Sequence, residues 1–226
     1  MEEDKREFLE GVYPYFKILE KLNCNLQELI STNVNNEPYK NEELFYLIAS
    51  DLIRLFPVKV PWKEGERDYA NANIDEKCGI LLLNKHIPFL KAEYKKILND
   101  GECKKAFAMI LIIRNKYIHE PHNIHHVLMV GSNTSCSMSV NYKDELLPIS
   151  TIWLTNIVYE LNLVFEKIKQ EYINQISTCD EKYKSYPCYK NICSIDLMAY
   201  NKKYTRMPWG YINVLSENVE YDWEWK

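Results

Sequence analysis

Between Ala106 and Ile113 the chain reads AFAMILII, eight positions without a polar side chain. As a helix this run is apolar on every side, which suits a helix enclosed in the middle of a bundle. It lies within a predicted helix of about 102–119, which follows the turn residues Asn99, Asp100 and Gly101, with Asp100 placed to cap it. The flanking segments are amphipathic instead. Residues 35–56 carry Leu44, Leu47, Ile48, Leu52 and Leu55 at three- and four-residue spacing, and Pro57 and Pro61 end that helix. Residues 60–73 then read as a loop. Later, Trp153, Ile157, Leu161, Val164 and Ile168 form a second stripe on a long helix that Ser150 or Thr151 can cap. Residues 4–23 predict a helix interrupted near Gly11 and Pro14, and residues 74–98 a helix kinked or split at Pro88.

After Pro121 the period changes. Residues 124–142 read as two short strands about a polar turn at Ser132–Thr134, a β-hairpin. Beyond residue 176 the chain turns irregular and rich in Tyr, Pro, Lys and Cys. The expected fold is therefore all-α: a helical bundle with a short β-hairpin insertion and an irregular C-terminal extension. The division is 1–176 for the helical domain and 177–226 for an extension packed on it.

Composition narrows the class. Apolar residues make up 46% and charged residues 27%, as in ordinary globular proteins. Only six glycines occur, and no GxGxxG, P-loop, HExxH or GxSxG motif is present. The first ten residues are charged, which is unlike a secretory signal, and no apolar run approaches the ~20 residues that cross a bilayer. Seven cysteines, an odd number without a CxxC pair, fit free thiols in a reducing cytoplasm. The net charge of −4 does not advertise nucleic acid, but its distribution is uneven. Residues 91–116 hold seven Lys/Arg against three Asp/Glu, and residues 177–207 hold six against three. Such local excess is either solvated surface or a phosphate-binding face.

Candidate chemistry gathers where the apolar helix ends, in RNKYIH at 114–119. Asn115 and His119 are i,i+4 neighbours about 40° apart, whereas Arg114 stands about 140° from His119 and flanks their face. The trio suits phosphodiester cleavage in RNA. Histidine can give or take a proton near neutral pH. Arginine keeps its charge and can grip a phosphate through two parallel hydrogen bonds. Asparagine can orient the 2′-hydroxyl, a phosphate oxygen or the arginine itself. RNA carries its own nucleophile, so no metal or other cofactor is required. Each residue also has a structural role open to it: a salt bridge from Arg114 to Glu160 or Glu166, a helix-end position for His119, and a capping or solvent-facing role for Asn115.

This segment resembles the R-(x4–6)-H motif of the HEPN superfamily, in which a polar residue commonly follows the arginine, as Asn115 does here. The resemblance covers about residues 40–175, with an apolar helix leading into the motif and a long amphipathic helix after it. It implies a metal-independent endoribonuclease, of the toxin or phage-defence kind, with Arg114, Asn115 and His119 catalytic. It also implies RNA as substrate, a homodimer whose two motifs face each other, and an antitoxin or defence-system partner protein. Lys116, Tyr117 and His122 are the substrate contacts expected beside the motif. Lys202, Lys203 and Arg206 are those expected in the basic extension. Glu120 and Pro121 stand where members modified by a nucleotidyltransferase antitoxin carry tyrosine. The alternative within the same family is a non-catalytic module that binds a protein or nucleotide.

Two further clusters compete. His119, His122, His125 and His126, joined by Cys136 or a carboxylate, have ligand types that zinc accepts, but Pro121 breaks any common helical face. Cys179, Cys188 and Cys193 leave a fourth ligand unspecified. The terminal YDWEWK aromatics suit packing or base stacking. No metal site is expected on balance.

Overall fold

The computed structural model describes residues 2–31, 38–63, 66–68, 71–99, 101–119, 124–125, 137–142, 145–177 and 181–204. Five segments build the bundle: α1 (Glu2–Ser31), α2 (Pro38–Leu55), α3 (Leu90–Leu98), α4 (Gly101–His119) and α5 (Thr151–Ser177). The protein is mainly helical. As its pattern requires, α4 is enclosed, with every residue from Ala106 to Ile113 buried. It packs against α2, α3 and α5, and a small sheet covers it further.

That sheet has three antiparallel strands, β5 (Ile124–His125), β6 (Ser137–Tyr142) and β7 (Glu145–Ser150), in that order. Ile124 pairs with Val140 and His125 with Ser139, as expected of a hairpin. The expected turn at Ser132–Thr134 lies outside the described residues. The third strand adds to the two expected within 124–142, and it ends at Ser150, where the cap of the long helix was expected. Pro148, opposite Ser139, is tolerated because β7 is an edge strand among the described residues. The loop expected at 60–73 likewise contains short pairings: β1 (Val58–Lys59) with β4 (Asn73–Ile74), and β2 (Trp62–Lys63) with β3 (Glu66–Arg67).

The interruption expected near Gly11 and Pro14 is absent, and α1 runs through both. Phe8, Val12, Phe16, Leu19, Leu22, Leu26 and Leu29 make one buried ridge across that point. Pro14 lies on the exposed side, where water can satisfy the carbonyl it leaves unbonded. Gly11 meets the next element closely. A Cβ there would stand 3.1 Å from Leu83 Cδ2, on the 3-10 helix Gly79–Lys85. The expected split at Pro88 is present, although the part before it is this 3-10 helix, entered through Gly79 at φ +58°. The extension is not irregular throughout. Residues 181–201 form α6 (Glu181–Lys184), α7 (Pro187–Ser194) and α8 (Leu197–Asn201). Of these, α7 packs on α1 and α5, and α8 packs on α5.

Two interactions fix how the helices meet. Phe56 is stacked between Tyr94 and Phe107, with ring centroids 4.6 and 4.3 Å away, and so joins the end of α2 to α3 and α4. Tyr94 also donates its hydroxyl to Leu55 O at 2.8 Å. On the other side of the bundle the core contains amides. Asn23 on α1 and Asn162 on α5 exchange hydrogen bonds, each 2.8 Å long. Asn162 also donates to Asn201 Oδ1 at 2.8 Å, and Tyr204 donates to Asn23 Oδ1 at 2.9 Å. Three elements are thereby locked in one register. Among the described residues, no helix is long and apolar enough to cross a membrane.

Replacing Asn162 with alanine removes three of these bonds and deprives Asn201 Oδ1 of its donor. Denaturant unfolding should show a loss of roughly 2–4 kcal/mol. Lys17→Ala, which breaks a solvent-exposed pair with Glu20 and a distant contact with the Tyr13 ring, should stay within about 0.5 kcal/mol.

Asp51 supplies a pH test. Burial raises its pKa, outweighing the cations of Lys21 and Arg54 beside it. A carboxyl raised above its unfolded value contributes stability that is fully present below the unfolded pKa and is lost as pH rises through the folded one. Asp51→Asn should therefore raise the melting temperature at pH 7. That gain should shrink as pH falls toward 4.

Candidate functional site

Arg114 and Asn115 are the first polar residues after the eight buried apolar positions of α4, and both are half-buried. The enclosed part of the helix fixes their backbone. Adjacent side chains on a helix diverge by about 100° and do not normally face each other. The long arginine side chain overcomes this, and Arg114 Nη1 donates to Asn115 Oδ1 at 3.0 Å. The guanidinium is thus held by a neutral acceptor. Among the described residues no carboxylate pairs with it.

The acids expected as structural partners of Arg114 lie elsewhere. Glu160 and Glu166 line a groove of about 920 Å³ between α3 and α5, together with Cys103 at the opposite end of α4. Glu166 accepts a hydrogen bond from Gln170 at 3.0 Å. A salt bridge from α5 is therefore not what positions Arg114.

His119 is the last residue of α4, four positions beyond Asn115. Its side chain, like those of Lys116 and Tyr117, lies outside the described residues, as do Glu120, Pro121, His122, His126 and Cys136 altogether. His125 belongs to β5, where its backbone pairs with Ser139. Strands β5, β6 and β7 all contact α4, so the sheet borders the helix that carries the motif.

The basic residues of the extension are only partly described. Lys202 and Lys203 are exposed just beyond α8. Lys203 reaches Gln27 on α1 at 3.4 Å and lies 6.0 Å from the Tyr200 ring centre. Among the described residues, the contacts of this region run to α1 and α5. Arg206, Cys179 and the terminal aromatics lie outside the described residues. Cys188 and Cys193 are half-buried free thiols on α7. Among the described residues, no three His, Cys, Asp or Glu are grouped to hold a metal ion.

The α3–α5 groove was not foreseen from sequence. Its only signal is Leu163, an apolar residue on the polar side of α5, between Glu160 and Glu166. No family model, curated protein or solved structure matches this chain.

The Arg114–Asn115 pair makes a direct prediction. Asn115→Asp keeps an acceptor beside the guanidinium but cancels its charge. If the guanidinium serves a phosphate, affinity for a short RNA, measured by fluorescence anisotropy, should fall by about tenfold, the worth of one hydrogen bond to a charged group. Thermal melting should be unchanged, because the residue lies outside the core.

Proposed function

We propose that this chain is a HEPN-type, metal-independent endoribonuclease that cleaves RNA through the substrate's own 2′-hydroxyl. The observation that carries this reading is the Arg114–Asn115 pair. It is a guanidinium oriented by a neutral amide, at the end of a buried helix, with no carboxylate beside it among the described residues. A cation held that way keeps its full charge for an incoming phosphate. A carboxylate in the place of Asn115 would have spent it.

In this reading Arg114 stabilises the extra negative charge of the pentavalent phosphate, and Asn115 holds the guanidinium in place. His119 transfers the proton: it takes it from the 2′-hydroxyl or gives it to the leaving 5′-oxygen. One imidazole cannot do both in a single step. The two-fold homodimer of the HEPN reading meets that need, because a second copy brings a second histidine. Lys116, Tyr117 and His122 would contact the strand near the cut. Lys202, Lys203 and Arg206 would hold phosphates farther along it. The same reading places the protein in the cytoplasm, as a toxin or defence effector held in check by a partner protein.

The test is a gel of defined RNAs incubated with purified protein in EDTA. Cleavage should proceed and leave 2′,3′-cyclic phosphate and 5′-hydroxyl ends, and a 2′-deoxy sugar at the scissile position should block it. His119→Ala should lower the rate by about 10²–10⁴-fold. Arg114→Lys should not restore what Arg114→Ala removes, since one ammonium cannot reproduce the planar fork. Both variants should melt near the wild type. A requirement for divalent metal, or 3′-hydroxyl products, would exclude the mechanism. Full activity in His119→Ala would leave the motif a structural role, and would favour a non-catalytic binding module.

A further inference from the structure

Helix α7 carries two free thiols, Cys188 and Cys193, both half-buried and five positions apart. Among the described residues no other helix holds two. On a helix this spacing sets their Cα atoms about 8.6 Å apart. A disulfide needs them within about 7 Å. Intact α7 and a Cys188–Cys193 bond therefore exclude each other. The helix is also easy to open. It is eight residues long, no side chain caps its start, and Ile192 is its only buried residue. Its docking leaves a polar group poorly satisfied. Tyr189 on α7 stacks on Tyr172 of α5, with ring centroids 5.9 Å apart, and Tyr172 is fully buried. No nitrogen or oxygen pairs with the Tyr172 hydroxyl. Beside it stand the thiols of Cys188 and Cys193, which are weak hydrogen-bond partners. Burial pushes its pKa up, and both thiols add to the rise. Undocking α7 opens that hydroxyl to water. Against undocking stand the burial of Ile192 and the bond from Asn191 to the Tyr13 hydroxyl at 3.1 Å. Tyr183 before α7, and Ile195 and Leu197 after it, are buried, so the flanking chain stays anchored when α7 opens.

We infer that Cys188 and Cys193 are a redox switch, joined by peroxide into a disulfide that forms only when α7 unwinds and then keeps it undocked from α1 and α5. One thiol, as its thiolate, attacks an oxygen of hydrogen peroxide and the O–O bond breaks, giving a sulfenic acid and water. The other thiol attacks that sulfur and the S–O bond breaks. Its proton leaves with the displaced oxygen as a second water. Two thiols are thus oxidised and one peroxide is reduced. The bond closes over the four residues between the cysteines once they are no longer helical, and it bars them from becoming helical again. A reductant that cleaves it lets α7 re-form and dock. The inference rests on α7 alone and does not need the ribonuclease reading.

In the test, the full chain, reduced or treated with hydrogen peroxide, meets trypsin briefly and its peptides are read by mass spectrometry. Lys190 is exposed and lies between the two cysteines, so cleavage after it reports whether α7 is helical. Peroxide should speed that cut by at least about tenfold. Peptides 185–190 and 191–202 should then appear joined through sulfur until dithiothreitol parts them. Cys188→Ser and Cys193→Ser should each abolish both effects, whereas Cys24→Ser and Cys78→Ser should leave both unchanged. Tyr13→Phe, which removes the acceptor of Asn191, should speed disulfide formation about fivefold, the worth of one hydrogen bond. Tyr172→Phe removes the poorly satisfied hydroxyl and should slow it. Absence of joined peptides, a main disulfide to any other cysteine, or a Cys188–Cys193 bond that leaves cleavage at Lys190 unchanged would overturn the inference. So would a rate of disulfide formation indifferent to both tyrosine substitutions.

Discussion

A helix with no polar face cannot sit at a surface, and the enclosure of α4 sets most of what surrounds it. Its eight buried residues need apolar neighbours on every side, and α2, α3, α5 and the three-stranded sheet supply them. Burying a side chain of the size of Ile or Leu is worth about 1.5–3 kcal/mol, so this one run is among the largest favourable terms in the fold. The aromatic stack of Tyr94, Phe56 and Phe107 converts that non-directional demand into a defined arrangement, because rings this close tolerate little sliding.

Apolar contact alone does not fix register, and on the α1–α5 side the buried amides do so. Asn23 and Asn162 each offer a donor and an acceptor, and only one relative placement of the two helices satisfies both. A shift of one residue would leave buried polar groups unpaired, at a cost of about 1–3 kcal/mol each. Asn201 and Tyr204 enter the same network, so the C-terminal helices dock by specific hydrogen bonds as well as by burial. This explains how α8, only five residues long, holds its place, since a helix that short has no stability of its own.

The parts readable from sequence are those in which a local pattern carries the information. The run Ala106–Ile113 specifies a central helix, and the stripe from Trp153 to Ile168 specifies α5, because each repeats its signal over several turns. The misread parts depend on neighbours distant in sequence. Glu145–Ser150, interrupted by Pro148, carries no clear strand signal of its own, and as β7 it pairs with β6 along its whole length. Pro14 is a helix breaker by rule, and the unbroken ridge from Phe8 to Leu29 overrides it. At the site, sequence placed Arg114, Asn115 and His119 on one helix end. It left three roles open for Asn115, and side-chain length decides that it holds Arg114. The groove needs α3 laid against α5, which no single segment encodes.

The two kinds of order meet at Arg114. A guanidinium on a loop would have to give up both backbone and side-chain freedom before it could grip a ligand, of order 1–2 kcal/mol for each. Here the backbone freedom is already lost, because the preceding residues are packed for reasons of the core. Much of the side-chain freedom is lost to Asn115, at a bond length of 3.0 Å. Binding a phosphate would then carry little further ordering penalty, which is the physical content of preorganisation. The same packing limits substitution. Ile110 and Ile113, on the turn before, face the core at no more than 2% exposure, so an alteration there would shift the helix end and the guanidinium with it. A core residue and a site residue on such a helix are not independent, and their effects on stability and on binding should fail to add.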